Sequence, residues 1–278
     1  MKVAVSGATG FIGLQVLAEL AFHPVDIVAV VRDATKVGPV SPGTKVVQID
    51  MKSAPDNAFH LMGHPDVLIH LAWGGLPNYR SLHHFEEELP SQYRFLANLV
   101  KAGLPALVVA GTCFEYGLQS GPLSEVLETR PNNPYGYAKD ALHRQLEFLR
   151  HARPFLLTWA RLFYLYGEGQ SETSLWAQVG RAVERGEEFF DMSGGEQLRD
   201  YLSLNQVAKY LVSLALKKAN IGAVNICSGN PISVRSLVEG WIRENGWQIS
   251  LNLGHYPYPD YEPMAFWGDC RKLAEIVG

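Results

Sequence analysis

Short apolar runs, several of them β-branched, recur at residues 3–6, 27–31, 46–49, 67–71, 107–110 and 155–162. Between them lie segments of helical periodicity at 13–21, 91–101 and 137–150; in the second of these Leu96, Leu99 and Val100 fall on one stripe. Strands that are apolar almost throughout bury both faces, and strands that alternate with helices are joined by crossovers. The pattern therefore predicts a parallel sheet covered by helices on both sides.

Beyond residue 167 the rhythm changes. Helical patterns at 175–184, 207–216 and 234–244 are separated by short strands, and the tail carries the Pro- and Tyr-rich stretch "GHYPYPDYEP". The expected class is α/β: a Rossmann-type doubly wound parallel sheet over residues 1–166, with a smaller C-terminal substrate-binding lobe over 167–278. Some elements of that lobe are expected to return to the main sheet.

At 278 residues the chain can bury a full core. A formal net charge of -4 offers no basic field for nucleic acid. Cys113, Cys227 and Cys270 lack the spacing of a zinc site or a disulfide framework, which points to no metal and a reducing compartment. The opening "MKVAVSGATGFIG" superficially resembles a secretory leader. Three glycines interrupt it, however, and Glu19, His23 and Asp26 follow within a strand-helix-strand pattern, so it is read as part of the fold. No run approaches the length of a membrane helix, and the expected setting is the cytoplasm.

The same opening is a strand, a turn holding Gly7, Gly10 and Gly13, and the start of a helix. Glycines at such a junction allow tight turning and close backbone approach, while the open N–H groups and positive end of the helix attract a pyrophosphate. With a second strand following at the right distance, dinucleotide binding is expected. That second strand ends in Val31 and is followed by Arg32 rather than a carboxylate. A guanidinium can grip a 2′-phosphate with two parallel hydrogen bonds, which favours NADP(H). Asp33 keeps NAD(H) open, because it can accept the ribose hydroxyls instead.

Asn133 to Asp140 read "NPYGYAKD". On a helix Tyr135 and Lys139 are neighbours, and an ammonium beside a phenol lowers its pKa from about 10. Tyr135 would then serve as an acid or base near neutrality. An isolated Tyr-x-x-x-Lys is more often a tyrosine on apolar surface beside a solvated lysine, so the pair needs independent support.

That support comes from the surrounding motifs. "GATGFIG", "LIHLAW", "GTCFEYG", "NPYGYAK", "RLFYLYGEGQ", "LRDYLSLNQVA" and "NICSG" follow one another in an order that resembles the extended short-chain dehydrogenase/reductase family, the NAD-dependent epimerase/dehydratase type acting on nucleotide sugars. The resemblance covers nearly the whole chain. It implies that Thr112, Tyr135 and Lys139 are catalytic: Tyr135 exchanges a proton with the substrate oxygen as hydride moves, Thr112 hydrogen-bonds that oxygen, and Lys139 lowers the phenol pKa and binds the nicotinamide ribose. It also places Gly7, Thr9, Gly10, Phe11, Ile12 and Gly13 at the cofactor pyrophosphate, Arg32 at the adenosine ribose, Asp50 and Met51 at the adenine, and Leu71, Ala72 and Trp73 along the cofactor side of the fourth strand. Cys113, Phe114, Tyr164 and, at the diphosphate, Arg199 are implied on the substrate side.

Departures from the family pattern narrow the reaction. Dehydratases of the family carry Asp-Glu directly after the catalytic threonine; here Cys113 and Phe114 stand there, and a phenylalanine cannot move protons. Tyr164 replaces a substrate-contacting asparagine, and Gln92 stands where asparagine is usual, which implies a different substrate pose. "GGLPNYRSLHHFEEE" is read as a substrate loop, with His83 and His84 as surface residues rather than metal ligands. Together with Arg32, the compact length and "GTCFEYG" resemble reductases of dTDP-linked 4-keto-6-deoxyhexoses. The expected activity is NADPH-dependent reduction of the C4 keto group. The alternatives are an NAD-dependent nucleotide-sugar 4-epimerase and a nonenzymatic NADP-sensing regulator, which would not need Thr112, Tyr135 and Lys139 together. A homodimer paired through helices 91–101 and 137–150 is expected from the same resemblance.

Overall fold

In the computed structural model, which describes residues 1–38, 40–258 and 262–278, each of the six apolar runs becomes a strand. Residues 259–261 of the Pro- and Tyr-rich stretch lie outside the described residues. The first half runs β1 (Lys2–Ser6), α1 (Phe11–Leu20), β2 (Asp26–Val31), β3 (Lys45–Gln48), α2 (Ala58–Leu61), β4 (Val67–His70), α3 (Leu89–Lys101), β5 (Ala106–Thr112), β6 (Gly121–Leu123), α4 (Pro134–Ala152) and β7 (Leu156–Leu162). The second half adds β8 (Tyr164–Tyr166), α5 (Leu175–Glu184), β9 (Phe189–Asp191), β10 (Leu198–Arg199), β11 (Tyr201–Ser203), α6 (Leu204–Lys217), β12 (Gly222–Ile226), β13 (Ile232–Ser233), α7 (Val234–Asn245), β14 (Ser250–Asn252), β15 (Phe266–Gly268) and α8 (Arg271–Val277).

Seven strands form one parallel sheet in the order β12-β7-β5-β4-β1-β2-β3. Val3, Ala4, Val5, Leu68, Ile69, Leu107 and Val108 are buried whichever face they point to, which is why these strands show no alternation. One face packs against α1 and α6 through Val16, Leu20, Val207 and Leu211. The other packs against α3 and α4 through Phe95, Leu96, Leu142 and Leu146. β12 comes from the second half of the chain and pairs with β7 along Ala223↔Trp159 and Val224↔Ala160. A separate cluster of Val179, Phe190, Leu237 and Trp241 gathers α5 and α7. This is the Rossmann-type α/β arrangement expected from the sequence.

The strand order reverses between β1 and β4, and ligands of such sheets bind at that crevice, beyond the carboxyl ends of the strands. α4 begins at Pro134, earlier than residue 137, so Tyr135 and Lys139 both lie in its first two turns. The reason is local. Asn133 Oδ1 accepts a hydrogen bond from Gly136 N at 2.8 Å, and proline is preorganised for the first helical position.

Candidate active site

Gly7 turns the chain off β1 with φ +70°. A Cβ there would lie 2.8 Å from Ala72 N, so the loop approaches the end of β4 too closely for any side chain. This contact sets Gly7 and the half-buried Phe11 and Ile12 opposite Leu71, Ala72 and Trp73, with Thr9 and Gly10 exposed. α1 has no acidic residue in its first turn, so its open N–H groups and positive end suit a phosphate. Arg32 is exposed just past β2. Asp33 is turned to the backbone: Oδ1 accepts from Thr35 N at 3.0 Å and Thr35 Oγ1 at 2.7 Å. Asp50, exposed past β3 and next to the half-buried Met51, accepts from Lys52 N at 3.1 Å. These residues share the C-terminal edge of the sheet, and a nicotinamide dinucleotide fits them: glycine turn, helix end and exposed polar groups lie in the order the molecule requires.

Thr112 closes β5 and caps the short turn Cys113–Tyr116. Its Oγ1 accepts from Phe114 N at 3.3 Å, while Glu115 Oε1 accepts from Thr112 N at 2.8 Å. This reciprocal capping box fixes the threonine. Glu115 is itself fully buried, bonded by Arg161 Nε at 2.7 Å and Trp159 Nε1 at 2.9 Å. Burial pushes its carboxyl up against the opposing pull of Arg161. Arg161 Nη1 donates to Tyr116 Oη at 3.1 Å, which donates to Asn225 Oδ1 at 2.8 Å, so the network ties the threonine turn to β7 and β12. A satisfied buried network of this kind holds one geometry. Thr112-x-x-Glu115 is a capping-box signature, and Glu115 could have been picked out from it.

A Cβ on Gly136 would meet Phe114 O at 2.6 Å, so the first turn of α4 lies directly on that turn and sets the Tyr135 phenol beside Thr112. The phenol ring is 8% exposed. Tyr79, His84, Trp73 and Phe114 surround it at centroid distances of 5.5, 5.2, 6.0 and 6.3 Å. One turn on, Lys139 Nζ donates to Ala110 O at 2.8 Å, lies 3.9 Å from the Trp73 ring centroid and 6.0 Å from that of Tyr135. The structure thus brings Thr112, Tyr135 and Lys139 together.

Their electrostatics differ from expectation. Burial pushes the Tyr135 phenol well above its ordinary range, with Tyr79, Glu115 and Cys113 adding to the rise; the neighbouring Thr112 hydroxyl offsets only part of it. Lys139 does not offset that rise: its ammonium is bonded to Ala110 O and lies over Trp73, and burial lowers Lys139 itself to about 7. Removal from water disfavours the charged form of each group.

The reading of His84 as a surface residue is also corrected: it is fully buried. Trp73 Nε1 donates to its Nδ1 at 3.1 Å and its Nε2 bonds Asn78 O at 2.8 Å, so both ring nitrogens are satisfied under the loop. His83 is half-buried and pairs with Glu88 Oε1 at 3.2 Å. Glu88 Oε2 accepts from Gly74 N at 3.0 Å and Gln92 Nε2 at 2.9 Å, so Gln92 serves the loop anchor. Tyr79, which packs on the Tyr135 ring, carried no sequence signal.

On the other side of the threonine turn, Cys113 is buried and Phe114 packs on Tyr79 at 4.9 Å. Tyr164 Oη donates to Glu262 Oε1 at 2.5 Å. Arg199 is buried and pairs with Glu262 Oε2 at 2.9 Å. The structure therefore gathers Tyr164 and Arg199 around a carboxylate that sequence reasoning missed, with Cys113 in the buried cluster on which Tyr164 packs.

The sequence model of the NAD dependent epimerase/dehydratase family matches residues 3–227. A protein of Aggregatibacter actinomycetemcomitans named dTDP-6-deoxy-L-talose 4-dehydrogenase (NAD(+)) is 28% identical, with 96% of this chain and 99% of the relative covered. One of Kitasatospora kifunensis named dTDP-6-deoxy-L-talose 4-dehydrogenase (NAD(P)(+)) is 26% identical over 93% of this chain and 83% of the relative. Among solved structures, MoeE5 in complex with UDP-glucuronic acid and NAD superposes with a TM-score of 0.84 at 27% identity, covering 100% of this chain and 93% of that one.

Proposed function

Because the chain belongs to the NAD dependent epimerase/dehydratase family and is an NAD(P)-dependent enzyme of the extended short-chain dehydrogenase/reductase type, we propose that it reduces the C4 keto group of a nucleotide-activated 4-keto-6-deoxyhexose, dTDP-linked, at the expense of NADPH. The observation that carries this reading is the convergence of Thr112, Tyr135 and Lys139 at the carboxyl edge of the sheet. The relatives named as 6-deoxy-L-talose 4-dehydrogenases support C4 as the reacting centre, since reduction is the reverse of the oxidation in their names.

The bound nicotinamide supplies the hydride. Thr112 Oγ1 donates a hydrogen bond to the C4 oxygen and polarises it, and Tyr135 delivers the proton that turns the oxygen into a hydroxyl. A phenol that burial holds protonated is a proton donor, the role that reduction asks of it. Lys139, one turn beyond Tyr135 on α4, would hold the nicotinamide ribose and carry positive charge near the phenol. Gly7, Thr9, Gly10, Phe11, Ile12 and Gly13 hold the pyrophosphate, Asp50 and Met51 the adenine, and Leu71, Ala72 and Trp73 the nicotinamide side. Cys113, Phe114, Tyr164 and Arg199 border the sugar nucleotide, Arg199 coming from the smaller substrate-binding lobe, residues 167–278. Phe114, standing where a dehydratase carries an acid, keeps the reaction to hydride and proton transfer. The reading is tested by following oxidation of NADPH and of NADH with dTDP-4-keto-6-deoxyhexoses of the D and L series. Turnover of one series supports it, and none with cofactor still bound contradicts it.

The preference for NADPH rests on Arg32, which is exposed at the ribose end of β2 while Asp33 faces Thr35. Replacing Arg32 by alanine is expected to lower the NADPH-to-NADH ratio of kcat/KM by about tenfold or more, the loss of a charge-assisted pair. An unchanged ratio would move the preference elsewhere.

The same reading includes a homodimer joined through α3 and α4. Tyr137 and Phe148, three turns apart on one face of α4, remain 55% and 76% exposed. Light scattering is expected to give a dimer mass for the wild type and a monomer mass for Phe148→Asp; a monomeric wild type would contradict it.

A further inference from the structure

The sequence places Arg199 at the substrate, yet its charge is already matched within the fold. Nη2 donates to Glu262 Oε2 at 2.9 Å, Nη1 to the carbonyls of Leu198 at 2.9 Å and Met264 at 3.3 Å, and the guanidinium lies 4.5 Å from the Phe266 ring centroid. A guanidinium so engaged, 3% exposed, has little left with which to grip a diphosphate. Glu262 is held at both oxygens, since Oε1 accepts from Tyr164 Oη at 2.5 Å. Its side chain nevertheless stays 15% exposed. Tyr164, which holds the carboxylate, packs against the buried cluster that contains Cys113 and Phe266, and the thiol of Cys113 is raised by burial and then by Glu262. Cys113 directly follows Thr112, so the charge sits beside the reacting end of the substrate rather than far along the nucleotide.

We propose that Glu262, held in place by Arg199 and Tyr164, is a specificity-determining residue on the sugar side of the site, accepting a hydroxyl from a neutral sugar and turning away a sugar that carries a carboxylate. This rests on the nucleotide-sugar reading above. Each carboxylate oxygen has a second lone-pair direction beyond the one already used, so a sugar hydroxyl can donate without displacing Arg199 or Tyr164. A uronate would instead bring a second anion next to Glu262, in surroundings that screen charge poorly, where Arg199 is already paired. If the Arg199–Glu262 pair opened to receive the diphosphate instead, Glu262 would oppose every nucleotide ligand alike. That difference separates the two arrangements.

The test uses the cofactor-loaded protein and calorimetric Kd values for dTDP-glucose, dTDP-glucuronic acid and dTDP alone, with the wild type, Glu262→Gln and Glu262→Asp. The wild type is expected to bind the neutral sugar about tenfold or more tightly than the uronate, Glu262→Gln to reduce that ratio about tenfold with dTDP unaffected, and Glu262→Asp, which keeps the charge, to retain the preference. Three results would overturn the assignment: equal wild-type affinities, a ratio unmoved by Glu262→Gln, or the same gain for all three ligands including dTDP. Should Glu262→Gln not fold, the wild type and Glu262→Asp decide, since a preference missing from either overturns it. Binding of none of the three to the wild type would overturn the nucleotide-sugar reading itself, and this inference with it.

Discussion

Replacing Tyr135 by phenylalanine is expected to lower kcat/KM about 1,000-fold while leaving cofactor affinity unchanged. The change removes the hydroxyl and keeps the ring, which packs among Trp73, Tyr79, His84 and Phe114. The fold and the position of α4 are therefore retained, and the missing element is the proton. Nicotinamide fluorescence titration separates the two effects: binding persists while turnover falls. Undiminished turnover would remove Tyr135 from the mechanism and with it the reductase reading.

Replacing Lys139 by methionine is expected to have opposite effects on activity and stability. Turnover falls about 100-fold as the charge behind the phenol is lost. Stability rises, because the lysine is a buried cation whose ammonium form burial disfavours, with its pKa brought down to about 7. The lost bond to Ala110 O offsets part of the gain, leaving about 2 kcal/mol, or roughly 5 °C in Tm, near neutral pH. The sign follows from linkage. A lysine whose folded pKa is lowered penalises the fold fully below about pH 7, and the penalty fades as pH rises from there towards 10.5, where the unfolded side chain also loses its proton. The advantage of the methionine variant should thus be largest at or below neutrality and shrink in alkali. Denaturant unfolding of both proteins across that range measures it, and a variant less stable at neutral pH would contradict the burial argument.

The sheet was legible because its strands are apolar on both faces and its glycine turn sits at a strand-to-helix junction. β12 was harder to read: Asn225 breaks its apolar run, it follows two helices of the second half, and it joins the sheet only through its register with β7. At the site, Thr112, Tyr135 and Lys139 came from motif and spacing, and geometry gathers them. Their protonation could not be read from spacing, since it depends on how completely Trp73, Tyr79 and His84 exclude water from Tyr135, and two of those three come from a loop with no periodicity. Arg199 shows the same limit. Its motif marked it as a substrate arginine, but its partner Glu262 lies 63 residues further along the chain, a separation no local pattern reports.

The central claim, that the chain transfers hydride to C4 and keeps the product, is tested most directly by tracing the hydrogen. With NADPH deuterated at the transferable position and a dTDP-4-keto-6-deoxyhexose, the account predicts deuterium at C4 of the sugar and one cofactor oxidised for each sugar reduced, with both lost in Tyr135→Phe. Epimerised nucleotide sugar formed without net cofactor oxidation would contradict it and identify an epimerase instead.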